Sequence, residues 1–490
     1  MTEIELKFQV PEAARAAVQA AVAGRGGAAR SVRLQAAYFD TPDGRLAAAG
    51  VALRLRREGA RWVQTLKAAG DDAMTRLEHN VPRRERTALP PAPELALHDG
   101  TPAGQRLAAL LGPGDELVCR YHTDIRRTLR ALRRPGALLE LAFDQGRIVA
   151  GAASLPVCEL EIELLRGDPA ALLDAARTWV ARHGLWLDVR SKAERGTLLA
   201  AGTPRAAARK ASAVSLPAAA GLATARRAVL GECVQQIVVN ASTLAGGDFG
   251  DEHVHQLRVG LRRLRSALDL FAPPEGPRDA LDAGAAALFR ALGAARDQAA
   301  IVQPLRARLA TAMHEAGLAL APPDWSAPPG EDPVRVLRST AAQAWLLDAL
   351  RAGLAAPPSG DDAPAAEALT ERLAAWHRRV RRDAKRFAAL DDEARHRLRK
   401  RAKRLRYGLE FARGLLGAKK TARLLGALAE LQTRLGELND AGVALQALRE
   451  APAPDAATGF ALGWLAARRA ALAEACAPAL EGFIAAKTSW

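Results

Sequence analysis

Charged residues occupy every second position of several otherwise apolar runs in the first part of the chain. Glu3, Glu5 and Lys7 alternate in EIELKF, Arg54 and Arg56 in VALRLRRE, Arg76 and Glu78 in MTRLEHNV, Glu140 and Asp144 in LLELAFD, and Glu159, Glu161 and Glu163 in VCELEIELL. Side chains two apart in a strand project the same way, roughly 6.6 Å from each other. A merely solvated sheet face mixes signs, whereas here the acidic and basic strands are distinct. Closing such a sheet into a barrel sets acidic and basic walls across a hydrated lumen. Metal-assisted phosphoryl hydrolysis needs that arrangement. Carboxylates supply hard oxygen ligands for Mg²⁺ or Mn²⁺, guanidinium and ammonium groups hold phosphate oxygens, and a water polarised by the metal or held by a carboxylate attacks in line. No Walker loop, GxSxG or HExxH points to another hydrolase chemistry.

A second constellation is written twice, 141 residues apart: His255, Arg258, Arg262, Arg263 and Arg265, then His396, Arg399, Lys403, Arg404 and Arg406. At about 100° per residue the offsets 0, +3, +7 and +10 share one side of a helix, so each set predicts a cationic stripe headed by histidine. Leu257, Leu261, Leu264 and Leu268 flank the first stripe as a core face, and Leu398, Ala402, Leu405 and Leu409 the second. Residues 394–406 hold eight Lys or Arg and no acid, a repulsion that a polyanion would relieve. Leu292-Gly293 followed by Arg296-Asp297 echoes Leu435-Gly436 followed by Asn439-Asp440, 41 and 43 residues after the respective histidines. Two coincident landmarks predict an internal duplication, too long in period for a solenoid. The histidines have no Cys or acidic partner at ligand spacing, which disfavours metal binding there.

The elements that must carry these residues change character near residue 200. Before it, short strand-like runs are separated by turn signals such as TPDG and DQG, with helices expected at Glu12–Val22 and Pro169–His183, the latter capped by Asp168. TPRAAARKASAVSLPAAA reads as a linker, and the remainder is Ala-, Leu- and Arg-rich with helical period, broken by PPEGP, PPDWSAPPGEDP and PPSGDDAP. We therefore expect a multidomain α+β protein: a strand-rich domain at 1–202, a linker at 203–218, and an all-α domain at 219–490 whose two pseudo-symmetric helical bundles occupy about 219–350 and 351–490.

With 490 residues, a formal charge of +16 and a pI of about 10.4, the chain should meet an acidic partner. Aromatic residues make up 4% and are not interleaved with the arginines, which weakens the case for nucleic acid. Cys119, Cys158, Cys233 and Cys476 form no CxxC pair, so reduced thiols are expected. MTEIELKF lacks the basic start and apolar run of a signal peptide, and no charge-free stretch approaches the roughly 20 residues of a membrane span, so a cytoplasmic protein without membrane insertion is expected.

EIELKF resembles the ExExK motif of the CYTH family, the triphosphate tunnel metalloenzymes. It is followed in family order by YFDT (38–41), LRLR (53–56), TLK (65–67), TDIRR with Arg127, ELAFDQG (140–146), ELEIEL (159–164) and SKAERG (191–196). The resemblance implies an eight-stranded antiparallel β-tunnel with triphosphate inside. It implies that Glu3 and Glu5 are catalytic and, with Glu159 and Glu161, ligate metal, while Lys7, Arg54, Arg56, Lys67, Arg127 and Lys192 bind substrate. Glu78, Glu140, Asp144 and Glu163 are further acidic candidates. HQLRVGLRRLRSALDLF and HRLRKRAKRLRYGLEF resemble the two HxxR helices of CHAD, the conserved histidine α-helical domain, which implies inorganic polyphosphate binding by His255, Arg258, Arg262, Arg265, His396, Arg399, Lys403 and Arg406 and association with polyphosphate granules.

The leading expectation is thus a metal-dependent inorganic triphosphatase acting on tripolyphosphate. Its competitors are an adenylate cyclase or an organic triphosphatase acting on ATP or thiamine triphosphate, and a non-catalytic polyphosphate- or nucleic-acid-binding protein.

Overall fold

The structure is a computed structural model. It describes residues 2–24, 29–70, 74–112, 114–203, 205–272, 280–293, 301–323, 331–354, 363–449, 455–486 and 488. The chain forms two compact units, one of Met1–Lys210, Gln235–Leu257 and Pro333–Arg351, the other of Ala211–Val234, Arg258–Asp332 and Ala352–Trp490.

The first unit is built on a closed antiparallel barrel of eight strands: β1 (Thr2–Gln9), β2 (Arg30–Asp40), β3 (Val51–Glu58), β4 (Arg61–Ala69), β5 (Thr75–Pro82), β6 (Val118–Arg134), β7 (Ala137–Ala150) and β8 (Ala153–Gly167). They follow the order β5-β4-β3-β2-β6-β7-β8-β1, and β1 closes the ring on β5 with Glu3 opposite Arg76. A two-residue strand, β9 (Trp186–Leu187), adds to β1. The alternation seen in the sequence decides which residues face in. Leu53, Leu55, Leu66, Phe143, Leu160 and Ile162 are fully buried on the outer face, which leaves their charged neighbours to the lumen.

The same unit carries helices α1 (Arg15–Ala23), α2 (Arg45–Ala48), α3 (Pro102–Ala108), α4 (Pro169–His183) and α5 (Lys192–Ala200). The helix expected at Glu12–Val22 begins as a 3₁₀ turn at Glu12–Ala14 and runs on as α1. α4 has the expected bounds, and Asp168 Oδ1 accepts from Ala170 N at 2.8 Å. Strand β6 was not among the expected runs. Its outward positions His122 and Arg126 are exposed and Arg120 and Asp124 are half-buried, so no apolar outer face marks it in the sequence.

The remaining helices are α6 (Leu222–Gly246), α7 (Asp251–Phe271), α8 (Ala280–Ala291), α9 (Gln303–Glu315), α10 (Pro333–Arg338), α11 (Thr340–Leu354), α12 (Ala365–Lys385), α13 (Asp392–Leu416), α14 (Ala418–Arg449), α15 (Ala456–Glu474) and α16 (Ala477–Ala485). The leucine faces flanking the two cationic stripes are buried on α7 and α13, as expected. The glycine of each Leu-Gly landmark lies beside an arginine of its stripe: a Cβ on Gly293 would stand 3.7 Å from Arg258 Nη2, and a Cβ on Gly436 3.7 Å from Arg399 Nη2. Arg296-Asp297 and PPEGP lie outside the described residues, as do most of PPDWSAPPGEDP and PPSGDDAP.

Helix α5 is the element that positions the lumen. Ser191 caps it reciprocally with Glu194, Ser191 Oγ accepting from Glu194 N at 3.1 Å while Ser191 N donates to Glu194 Oε2 at 2.6 Å. The helix packs against the inward-facing Tyr38, Tyr121 and Ile125, and Tyr121 Oη donates to Ala193 O at 2.9 Å. Gly196 makes this approach feasible, because a Cβ there would lie 2.2 Å from the Tyr121 ring. Gly196→Ala is therefore expected to lift α5 and to cost about 1–3 kcal/mol by overpacking, read as a lowered urea midpoint at unchanged m-value.

Candidate functional site

The lumen carries its charges in rows fixed by strand register. Glu5, Glu163 and Glu140 stand opposite one another on β1, β8 and β7. One row on, Lys7 faces Glu161, and beyond it Gln9, Glu159 and Asp144 align, with Arg127 of β6 opposite Asp144. With Arg54, Arg56 and Lys67, these residues other than Gln9 and Glu159 line a cavity of about 1580 Å³.

Two ionic clusters occupy it. In the first, Lys67 Nζ lies 2.8 Å from Glu3 Oε2 and 2.5 Å from Glu78 Oε2. Burial raises the pKa of Glu3 against the pull of Lys67, while at Glu78 burial is outweighed by the hydrogen bond with Glu3 and by Lys67, which lower it, so the two acids titrate as one pair. In the second, Lys192 Nζ donates to three buried carboxylates: Asp144 Oδ2 at 2.7 Å, Glu161 Oε1 at 2.8 Å, and Glu159 Oε1. Arg127 grips Asp144 bidentately, Nε to Oδ1 at 2.7 Å and Nη2 to Oδ2 at 2.6 Å, and reaches Glu161 Oε2 at 2.5 Å. Arg195 holds Glu159 from behind. Burial opposes every charge here, but the carboxylates raise the pKa of Lys192 and Arg127, and those two cations hold that of Glu161 well below the usual range.

The structure thus brings all ten tunnel candidates to one barrel but not to one point. Glu5 pairs with Lys7 at 2.6 Å; burial opposes its charge, yet Lys7 and Lys67 keep its pKa low. Arg54 Nη1 donates to Tyr38 Oη at 3.4 Å, and Arg56 pairs with Glu58. Arg126 lies on the outer face beside Ser31, which leaves Arg127 as the lumenal member of its pair. Glu159 does not line the cavity. It sits fully buried behind Lys192. Arg195 was missed by sequence reasoning, although its place three residues after Lys192 on one helix face was a usable signal. In YFDT Tyr38 meets Arg54 in the lumen, while Asp40 caps α2, accepting from Leu46 N at 2.8 Å and Ala47 N at 3.0 Å.

Asp144, Glu159 and Glu161 can each offer an oxygen within 4.8 Å of the others. Three converging carboxylates around a compact cation are a donor set that fits a hard divalent metal, and the Lys192 ammonium stands in for that cation.

On the helical side, His396 is exposed, with Nδ1 2.9 Å from Asn439 Oδ1, and shares a pocket of about 290 Å³ with Arg395, Arg399, Arg449 and Arg469. Leu435 and Asn439, two of the duplicated landmarks, line the same pocket. Lys403 is half-buried on α13, and Arg406 binds Glu410 at 2.9 Å and Gln432 at 3.1 Å. The first stripe is used differently. Arg258 is buried, donating to Gly293 O at 2.9 Å above the Phe289 ring, and Arg265 pairs with Asp282 at 2.7 Å. His255 and Arg262 are half-buried.

A closed, charge-lined antiparallel tunnel followed by duplicated basic helices defines a two-part protein. The CYTH domain model matches residues 1–197 and the CHAD domain model residues 228–449, and the chain is a CYTH domain joined to a CHAD domain. An inorganic triphosphatase of Haemophilus influenzae is 32% identical over 169 residues, 33% of this chain and 44% of that protein, so the match spans less than half of the relative's length. Among solved structures, the CHAD domain from the plant Ricinus communis is 32% identical, covering 56% of this chain and 97% of that one at a TM-score of 0.44. A Hippeastrum protein with a dominant triphosphatase activity is 19% identical, covering 41% and 96% at a TM-score of 0.30. No helix among the described residues is long and apolar enough to cross a membrane.

The carboxylate row has a measurable consequence. Burial, with Glu140 and Glu5 nearby, pushes Glu163 up to about 7. A carboxyl whose folded pKa is raised takes up a proton on folding. Its contribution is complete below the ordinary carboxylate range and is lost as pH rises through about 7. With chelator present, the urea midpoint should fall between about pH 5 and 8, and Glu163→Gln should flatten that fall.

Proposed function

We propose that the tunnel hydrolyses inorganic triphosphate with Mg²⁺ or Mn²⁺ and that the helical module binds polyphosphate. One observation carries the reading: Arg54, Arg56, Lys67, Arg127 and Lys192 share a lumen with Asp144 and Glu161, whose carboxylates converge with that of Glu159 buried behind Lys192. Such a lumen neutralises both halves of a metal triphosphate. The relative named inorganic triphosphatase supports the choice of substrate.

When bound, the metal polarises phosphoryl oxygens and lowers the pKa of a water. Arg54 and Arg56 supply charge-assisted hydrogen bonds to phosphate oxygens, and Lys67 and Lys7 add point charges from the neighbouring wall. Glu5, kept ionised, accepts a hydrogen bond from the attacking water and its proton as the water oxygen bonds to the terminal phosphorus. The bridging P–O bond breaks, giving orthophosphate and pyrophosphate. The closed barrel limits bulk water, which strengthens each of these contacts.

For the helical module, the His396 pocket with Arg399, followed along α13 by Lys403 and Arg406, offers the more accessible cationic surface, and on α7 the half-buried His255 and Arg262 are the candidates of the first copy. Arg258 and Arg265 act through packing and the Asp282 pair, and so hold the helices that display the rest.

Glu5→Gln and Glu161→Gln should each lower phosphate release from tripolyphosphate by about 100-fold or more while the circular dichroism spectrum is retained. Arg54→Ala, Arg56→Ala and Lys67→Ala should each lose a contact of about 1.5–3 kcal/mol in kcat/KM. A higher kcat/KM on ATP than on tripolyphosphate would transfer the reading to a nucleotide substrate, and no turnover of either with either metal would leave a binding protein.

In the full chain, long polyphosphate should bind without divalent metal and weaken steeply with salt. Lys403→Glu with Arg406→Glu should impair it more than Arg262→Glu with Arg265→Glu, measured by calorimetry with duplex DNA as the control. Equal affinity for DNA at physiological salt would return the module to nucleic acid.

A further inference from the structure

The reading above requires the tunnel to take up a cation and a polyanion, yet the free lumen has already spent its charges on one another. Lys192 Nζ sits where three carboxylates converge, 2.7 Å from Asp144 Oδ2 and 2.8 Å from Glu161 Oε1, with Glu159 Oε1 as its third partner. The same three carboxylates can each offer an oxygen within 4.8 Å of the others. Arg127 closes the set by occupying both oxygens of Asp144 and one of Glu161. A divalent metal arriving alone meets acids that are already neutralised and must expel an ammonium that then has no acid of its own. A triphosphate arriving alone must pull Lys192 or Arg127 from the same acids and leave them bare. Together each ligand supplies what the other displaces.

We propose that Lys192 is the resident substitute for the metal in the free tunnel, and that it exchanges partners, from carboxylate to phosphate, when metal and triphosphate bind together. This rests on the triphosphatase reading and adds to it a coupling between the two ligands. Helix α5 suits the role. Ser191 and Glu194 fix its first turn and Gly196 seats it on Tyr121, so Lys192 swings on a fixed base by side-chain rotation. By linkage, the factor by which triphosphate tightens metal binding equals the factor by which metal tightens triphosphate binding.

The test titrates Mn²⁺ into the full-length protein, following free Mn²⁺ by electron paramagnetic resonance and heat by calorimetry. A non-hydrolysable imido analogue of tripolyphosphate is present or absent, and Mn²⁺ held by the analogue in solution is subtracted. Wild type should bind Mn²⁺ weakly alone and about tenfold or more tightly with the analogue. Lys192→Met, which removes the charge and keeps the length, should bind Mn²⁺ alone about tenfold more tightly than wild type and lose most of the analogue's effect. Its melting temperature should be low with chelator and recover with Mn²⁺. Lys192→Arg should stay weak, and Arg56→Met, whose partner is Glu58, controls for a general loss of positive charge. Lys192→Met no tighter than wild type, or an equal gain in Arg56→Met, would overturn the exchange. Should Lys192→Met fail to fold, absence of coupling in wild type would overturn it too. No turnover enters these titrations, so they decide the exchange even if wild type releases no phosphate from tripolyphosphate, the result that would instead remove the hydrolase reading.

Discussion

Closing β1 onto β5 is the constraint from which the rest follows. In an open sheet the charged face of these strands would be hydrated, and each acid and base could ignore the others. In a ring of eight strands the same side chains are forced into one small volume of low dielectric, where an unpaired charge is costly and a paired one is held hard. The lumen answers by pairing: Lys7 with Glu5, Lys67 with Glu3 and Glu78, Arg127 and Lys192 with the acids of β7 and β8. Such pairs contribute little net stability. They define which geometry is tolerated, because removing one member strands its partner.

Pairing also explains why the lumen is not uniform. Where register aligns three acids, Glu5, Glu163 and Glu140, no neighbouring cation suffices and one carboxyl retains its proton toward neutral pH. Where register aligns acids with Arg127, and α5 delivers Lys192, those two cations hold the pKa of Glu161 low against burial, and the oxygens of Asp144, Glu159 and Glu161 converge. One fold therefore contains an acidic patch short of cations beside an acidic cluster saturated with them.

Much of this was legible in the sequence. Strand β3 and helix α4 keep their expected bounds because strict alternation and an Asp-Pro start are strong local signals. The partition of the acids was not legible. Glu3, Glu5, Glu159 and Glu161 read as one metal-binding set from their motifs, but which rows of β1, β7 and β8 lie side by side is a matter of register, and register brings Asp144 rather than Glu3 to Glu159 and Glu161. SKAERG was recognisable as a motif but not as a helix. Its reach into the lumen depends on Gly196 meeting Tyr121, a contact between positions far apart in the chain.

The duplicated helices show a different limit of periodicity. The 3.6-residue pattern identifies which side of α7 and α13 is buried, and both leucine faces are where it puts them. It does not distinguish a cation that meets solvent from one that satisfies the protein itself. Arg258 and Arg399 occupy equivalent places, each beside the glycine of its own Leu-Gly landmark, but Arg258 is buried over the Phe289 ring with its protons on backbone carbonyls while Arg399 lines an open pocket beside His396. A helix end left with bare carbonyls needs a donor, and a buried arginine is the side chain with enough donors to serve it. Once one copy spends its arginine there, exposed cationic surface falls to the other copy. Two nearly identical stripes can in this way hold a fold together at one position and present it to an anion at the next.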